Sequence, residues 1–360
     1  MLTQDSHFMR RALDLARRGW GRVSPNPMVG AVIVRAGEVV GEGWHVDFGQ
    51  DHAEIAALRE AGHLARGSTM YVTLEPCAHF GKTPPCADAL IAAGIARVVY
   101  AAPDPNPGAG GGGERLASQG VEVLRGVSEL EARDLNAAFF HRHSAEGADR
   151  PWVELKLALS LDARMADHEG RSAWITGSDA RAEVHRLRAA HDAIAVGIGT
   201  ILADDPLLTV RGSVRPRVPP ARVVFDRSLR MPAACQLLET LEQAPLHVVH
   251  GPEADPHRAA ELRDRGVALI PASTLQEAMA GLLKEGIRSI FCEGGALIAS
   301  SLLRENLVDR LTLFYAPVLL GPEGLSPFAQ IPSNRIDDVL RWRTLHHASV
   351  GSDTMISFAR

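Results

Sequence analysis

Four side chains stand in a pattern that can do chemistry. His52 and Glu54 open the stretch HAEIAALREAG (52–62), and Cys77 and Cys86 follow further along the chain. One imidazole and two thiolates give a tetrahedral zinc ion three ligands and leave one position for water. A carboxylate near such a metal, but not on it, can shuttle protons to a departing amine. H-x-E followed by P-C-x-x-C is a signature of zinc deaminases. His52-Ala53-Glu54 and Pro76-Cys77 supply the first parts, and Cys86 supplies the last ligand. The spacing departs from the short form, because eight residues, AHFGKTPP, separate the two cysteines. Residue types alone also allow one exposed histidine and two unrelated buried thiols, and the joint pattern favours the metal. Thiolate-rich ligation favours zinc over iron. A closed structural zinc site would need a fourth ligand and would have no use for Glu54.

A second candidate lies in RSIFCEGGALIASSLL (288–303), which reads as strand, Gly-Gly, helix. Paired glycines allow close backbone approach, and a helix N-terminus can hold a phosphate. The same letters also describe a plain strand-to-helix turn. No G-x-G-x-x-G follows the first strand of this half, so a standard dinucleotide-binding fold is not indicated.

These residues must be positioned by an α/β framework. The first third reads as a helix at 7–18, a hairpin of strands 29–34 and 39–45, a helix at 52–62, a strand at 70–76, a helix at 86–94 and strands at 97–102 and 121–124. His52 and Glu54 then open one helix, Cys77 ends a strand, and Cys86 opens another helix, where the dipole favours a thiolate. The glycines 110–113 in DPNPGAGGGGE read as a mobile loop. A helical stretch near 128–142 precedes SAEGADRP (144–151), a small, polar, Pro-terminated linker candidate. A second α/β pattern has strands at 152–159, 192–197, 221–226, 245–250, 288–294 and 310–320, and helices at 179–190, 257–265, 274–285 and 296–304.

Length and charge limit the alternatives. At about 150 residues per domain, 360 residues suggest two domains. Residues 1–147 carry 14 basic and 17 acidic side chains and the remainder 24 and 26, so neither half has the footprint of a nucleic-acid binder. No apolar run is long enough for a membrane span and no signal peptide is legible, so a cytoplasmic location is expected. Cys235 and Cys292 read as structural thiols.

PNPMVGAVIV, HAE, TLEPCAHFGKTPPC and DPNP (104–107) closely resemble the bifunctional riboflavin-biosynthesis deaminase/reductase family, whose own motif contains the eight-residue insert. The resemblance continues through KLALSLDAR, SAWITG, RLRAAHDAIAVGIGTILADDPLLTVR and EGG, and covers nearly the whole chain. It implies an N-terminal cytidine-deaminase-like three-layer α/β domain over 1–147 and a C-terminal dihydrofolate-reductase-like domain over 148–360. The implied reactions are zinc-dependent deamination of 2,5-diamino-6-ribosylamino-4(3H)-pyrimidinone 5′-phosphate, then NADPH-dependent reduction of its ribosyl group to ribityl.

By the same resemblance, His52, Cys77 and Cys86 bind zinc and Glu54 is catalytic. Asn26, His45, His79, Lys82, Asp104 and Asn106 contact the pyrimidine phosphate in the first domain. In the second, Lys156, Ser172, Arg188, Leu208, Arg211 and Glu293 contact substrate. Ala158, Trp174, Thr200, Asp204 and the run Gly295, Ala296, Leu297, Ile298, Ala299, Ser300 and Ser301 contact the cofactor. Asn26 and Asp104 could equally be turn-formers beside proline. Ala158 and Ala163 stand where the family often has glycine, and Asp162 could be a turn residue. The expected partner is a small phosphorylated pyrimidine, in a homo-oligomer, with no nucleic acid and no membrane. The competing readings are a single-activity deaminase with a degenerate second domain, a nucleic-acid-editing deaminase and a zinc-stabilised scaffold.

Overall fold

The computed structural model describes residues 4–79, 84–171, 175–328, 330–332, 335–337, 339 and 341–360. Every structural statement below concerns those residues. The chain divides into two compact units, Met1–Ala145 and Glu146–Arg360.

The first unit runs α1 (Gln4–Ala16), β1 (Gly30–Arg35), β2 (Glu38–Trp44), α2 (Ala53–Ala61), β3 (Thr69–Leu74), α3 (Cys86–Ala93), β4 (Arg97–Ala102), α4 (Gly112–Ser118), β5 (Glu122–Arg125), α5 (Glu129–Leu135) and α6 (Ala137–Arg142). Its sheet has the order β2-β1-β3-β4-β5, with β1 antiparallel to β2 and β3, and β3, β4 and β5 parallel. Alternation along β1 sorts its side chains between two cores. Ala31 and Ile33 pack with Ala53, Ala57, Ala87, Leu90 and Leu116 from α2, α3 and α4. Val32 and Val34 pack with Phe8, Met9, Ala12 and Ala132 from α1 and α5. Two glycines set how closely α2 lies on the sheet. A Cβ on Gly41 would fall 2.4 Å from the Ala57 carbonyl oxygen, and one on Gly43 would fall 2.3 Å from that of Ala53. That approach fixes the start of α2, and with it His52 and Glu54.

Two expectations change here. Gly112 and Gly113 are buried and open α4, so the glycine run is the start of a helix rather than a mobile loop. The linker candidate at 144–151 holds a short helix, α7 (Ala145–Asp149).

The second unit continues with β6 (Trp152–Ser160), α8 (Ser178–Arg188), β7 (Ala193–Gly197), α9 (Ile198–Asp204), β8 (Ala221–Phe225), α10 (Gln236–Glu239), β9 (Leu246–His250), α11 (Pro256–Asp264), β10 (Ala268–Pro271), α12 (Leu275–Lys284), β11 (Ser289–Cys292), α13 (Ala296–Arg304), β12 (Arg310–Ala316), β13 (Arg343–Val350) and β14 (Asp353–Ala359). The sheet order is β10-β9-β8-β7-β11-β6-β12-β14-β13. Pairing is parallel from β10 to β12 and antiparallel through β14 and β13. On β6, Val153, Leu155, Leu157 and Leu159 enter the core with α12 and α13. The alternate residues Glu154, Lys156 and Ala158 therefore face the opposite side. The strand expected over 310–320 stops at Ala316, because Pro317 cannot donate to the ladder. The chain then turns, and Asp162 accepts the amides of Leu320 (3.1 Å) and Gly321 (2.7 Å).

Candidate active sites

In the first unit, α2, α3 and the end of β3 bring three donors together. His52 Nδ1 lies 3.8 Å from Cys77 Sγ and 3.3 Å from Cys86 Sγ. All three ligand atoms lie within 4.8 Å of one another. Tetrahedral zinc with ordinary Zn–S and Zn–N bonds sets such donors about 3.5–3.8 Å apart, so the observed set fits. The Cys86 amide, at the start of α3, donates to Cys77 Sγ at 3.3 Å. Hydrogen bonds from Cys86 and His52 pull the Cys77 thiol down to about 4. Cys86, giving its hydrogen bond to Cys77, is pushed up. A bound cation relieves that opposition, because every ligand can then be deprotonated.

Glu54 is in the first turn of α2 and 3% exposed, and burial pushes its carboxyl up. His45 is equally buried and stands edge-on to His52, with ring centroids 5.7 Å apart. Its Nδ1 donates to the Asp51 carbonyl oxygen at 3.0 Å, which leaves Nε2 to accept from Asn26 Nδ2 at 3.2 Å. Burial lowers the His45 pKa, which favours the neutral ring that this pair of hydrogen bonds calls for. Asn26, His45, His52 and Glu54 thus form one polar cluster.

Asp104 and Asn106 lie in the loop after β4, next to Cys77. Asp104 Oδ1 accepts from the Asn106 amide (2.9 Å) and Asn106 Oδ1 from the Gly108 amide (3.1 Å). Both side chains therefore shape the loop as turn-formers. Burial, then the neighbouring Glu75 and Cys77, push the Asp104 carboxyl up, against its hydrogen bond from Asn106. His79 is exposed, and Lys82 lies outside the described residues.

The second unit contains a cavity of about 1350 Å³ at the C-terminal ends of its parallel strands. Lys156, Ala158, Arg188, Thr200, Asp204, Leu208, Arg211 and Glu293 all line it. At its centre the Glu293 carboxylate accepts from Arg188 Nε and lies 3.7 Å from Lys156 Nζ. Burial opposes ionisation of Glu293, and Arg188 and Lys156 overcome it and hold the pKa down. Burial also lowers the Lys156 pKa, with Glu293 resisting. Arg188 is fixed further by donating to the Thr209 carbonyl at 2.7 Å. Arg211 is exposed, and its backbone amide donates to His185 Nδ1 at 3.1 Å.

Gly295, Ala296, Leu297, Ile298, Ser300 and Ser301 line the cavity at the start of α13. Ala299 does not, because it is fully buried in the core. The Ser300 hydroxyl is already committed to the Pro327 carbonyl at 2.7 Å. The Leu208 side chain is 3% exposed and packs in the core, so little of it is presented to a ligand. Ser172 and Trp174 lie outside the described residues.

Asp162 accepts from the Ser160 hydroxyl (2.6 Å) and two backbone amides, which hold its carboxyl down at about 2. It is a turn residue. Ala163, which follows it, has φ of 56° and is absent from the cavity wall. The cavity also reaches past the expected residues to Asp226, Arg227, Arg230 and His250 at the ends of β8 and β9. Sequence reasoning missed this lobe. Its one local signal was FDRSLR (225–230), two arginines just past a strand.

Comparison with known proteins gives two family matches. The family described as cytidine and deoxycytidylate deaminase zinc-binding region matches residues 2–102, and the RibD C-terminal domain matches 151–356. The riboflavin biosynthesis protein RibD of Aquifex aeolicus is 41% identical over 99% of this chain and 98% of its own length. That of Escherichia coli is 41% identical over 93% and 96%. The solved structure of Acinetobacter baumannii RibD superposes with a TM-score of 0.83, at 40% identity over 99% of this chain and 98% of that one. A Thermotoga maritima structure, titled a diaminohydroxyphosphoribosylaminopyrimidine deaminase/5-amino-6-(5-phosphoribosylamino)uracil reductase, gives a TM-score of 0.81 at 35% identity over 99% and 98%.

Proposed function

The chain belongs to the RibD family of bifunctional deaminase/reductases of riboflavin biosynthesis, and from that premise we propose a reaction and a set of residues for each unit. The first unit hydrolyses the 2-amino group of 2,5-diamino-6-ribosylamino-4(3H)-pyrimidinone 5′-phosphate. The second reduces the ring-opened ribosyl carbonyl of the product to the alcohol, using NADPH. The observation that carries this reading is the convergence of His52, Cys77 and Cys86 on one point beside the buried Glu54.

In the deaminase site, His52, Cys77 and Cys86 hold zinc. Zinc bound there supplies Lewis-acid activation of water at neutral pH. Glu54 takes the proton of the attacking water and gives one to the departing ammonia. Its burial keeps the carboxyl easy to protonate, as a group that must carry a proton between two partners requires. Neutral His45 holds Asn26 in place by accepting its amide hydrogen, which leaves the Asn26 carbonyl oxygen for the pyrimidine.

In the reductase site, NADPH supplies the hydride. The start of α13, Ala158 on β6, and Thr200 and Asp204 on α9 bind the cofactor, and Arg227 and Arg230 take its 2′-phosphate. An arginine beside the ribose is how such sites accommodate that group. Arg188 and Arg211 grip the substrate phosphate. Lys156, kept charged by Glu293, delivers a proton to the oxygen that becomes the alcohol. The degenerate-domain alternative finds nothing in its favour: Ala158 adds one methyl to the wall of an open cavity, and Ala163 is not part of that wall.

A mass-spectrometric time course tests the reading. Purified protein receives the diaminopyrimidine phosphate with and without NADPH. An amine-to-oxygen mass change without NADPH, and two further hydrogens only with it, is expected. An unchanged substrate with metal-replete protein would sink the assignment.

A further inference from the structure

Glu75 sits between β3 and Cys77, and neither the zinc chemistry nor the proton transfer uses it. Its amide donates to the Ala102 carbonyl at 2.9 Å, so it continues the β3–β4 pairing beyond the strand end. Its side chain reaches across to the next loop. Glu75 Oε1 accepts from the amides of Gly111 (3.1 Å) and Gly113 (3.0 Å), and Oε2 accepts from the amide of Asp104 (3.2 Å). One carboxylate thus holds both ends of the segment that carries Asp104 and Asn106. A fourth bond, Ala78 amide to Ala109 carbonyl at 3.0 Å, joins the same segment to the chain just past Cys77. The glycines make this fit possible. A Cβ on Gly112 would fall 1.6 Å from the Pro76 carbonyl oxygen, and one on Gly113 would fall 3.0 Å from the Tyr100 ring.

We propose that Glu75 is a positioning residue of the deamination reaction: it locks the Asp104–Asn106 loop to the strand end that carries Cys77, so that substrate-holding and metal-holding groups keep one spacing. The proposal rests on the proposed pyrimidine site, with Asp104 and Asn106, besides shaping their loop through one oxygen each, also touching the substrate as the family resemblance implies. Ionised, Glu75 offers two acceptor oxygens to three amides. Glutamine keeps the shape but has one acceptor oxygen, and its NH2 faces an N–H donor. At least one loop amide then loses its partner.

The test is Glu75→Gln, alone and combined with the paired change Asp104→Ala and Asn106→Ala, in the full-length protein. Deamination of the diaminopyrimidine phosphate is followed under steady state, with zinc content measured on each variant. Glu75→Gln alone is expected to raise KM about 5–10-fold, the size of one part-buried hydrogen bond lost from the loop. It should change kcat less than about 3-fold and leave zinc stoichiometry and the reductase KM unchanged. On the Asp104→Ala, Asn106→Ala background it should add less than about 2-fold, because both contacts it serves are already gone. Multiplying effects in the combined variant overturn the proposal. So does loss of zinc in step with activity, which would make Glu75 part of the fold around the metal. If the wild type does not turn the pyrimidine over at all, the substrate reading itself fails. Wild-type turnover with additive effects sinks Glu75 alone.

Discussion

Glu293→Gln is the perturbation that most directly probes the reductase reading. The Glu293 carboxylate lies 3.7 Å from Lys156 Nζ and accepts from Arg188 Nε, with all three side chains at most 15% exposed. At that distance and an effective dielectric of about 20, one ion pair is worth about 4.5 kcal/mol. At 1.36 kcal/mol per unit, this corresponds to a ceiling of about 3 pH units in the titration of Lys156. Glutamine removes the attraction and keeps the hydrogen bond to Arg188, whose charge still repels Lys156. The Lys156 pKa, already lowered by burial, must fall further. A reaction that needs the charged ammonium is lost as pH rises through that pKa. The alkaline limb of the reductase kcat profile should therefore move to lower pH by about 1–3 units, while deamination is unaffected. The assay is NADPH oxidation against pre-deaminated substrate between pH 6 and 10, with NADPH binding measured separately by fluorescence. An alkaline limb that stays in place, with cofactor binding intact, would refute the pairing of Glu293 with Lys156 as the source of the proton.

Four further outcomes are expected. Glu54→Gln should retain zinc by metal analysis and lose deamination by about 10²-fold or more, with reduction of pre-deaminated substrate unchanged. Replacing Arg227 and Arg230 together with alanine should weaken NADPH binding by about 10–100-fold and leave NADH binding near its wild-type value, measured as Kd; equal losses for both would remove these arginines from the 2′-phosphate. His185 is held down to about 4 by burial and by Arg188 and Arg211, so the unfolded chain takes up its proton first as pH falls. Stability should be full above pH 6.5 and decline towards pH 4 by about 1–2 kcal/mol after allowance for partial exposure, a decline that His185→Gln flattens in urea titrations. Ala163→Gly, at φ of 56°, should raise stability by about 0.5–1 kcal/mol in the same titrations, the left-handed strain outweighing the entropy of glycine.

The sequence made legible those parts of the fold whose burial alternates strongly. On β6 and α2 the apolar period names both the element and the face it buries, while the continuous apolar run of β1 names a strand buried on both faces. The β13–β14 hairpin was missed because β13, RTLHHASV, is an edge strand with mostly exposed side chains, and its pattern carries little apolar signal. β10 has four residues and ends in proline, too short to show a period. The glycine run was misread because composition cannot report that a distant carboxylate captures its amides. At the sites, the meeting of His52, Cys77 and Cys86 beside the buried Glu54 was legible from residue type and local order. The Arg227 lobe was not, since it exists only because β8 and β9 end beside α12 and the start of α13 in space. Ala299 was read as a cofactor contact because a contiguous run was carried over whole, whereas a helix turns every fourth residue or so away from any ligand.

The loops around both sites share one device. A ligand cavity cannot be filled with apolar side chains, so its rim lacks the burial that fixes a core loop. Carboxylates at strand ends supply the order instead. Glu75, just past β3, accepts the amides of Asp104, Gly111 and Gly113. Asp162, just past β6, accepts those of Leu320 and Gly321. Asp226, just past β8, accepts the Met231 amide at 2.8 Å and so closes the turn that displays Arg227 and Arg230. Each acceptor is anchored to a rigid strand, and the amides captured by Glu75 and Asp226 belong to loops that carry proposed ligand contacts, whereas Asp162 closes a turn off the cavity wall. Charged acceptors make stronger hydrogen bonds than neutral ones, so one side chain can position a loop without occupying the space a substrate needs. The placement of these two rims therefore rests on Glu75 and Asp226, each acting through backbone amides, and much less on the loop side chains between them.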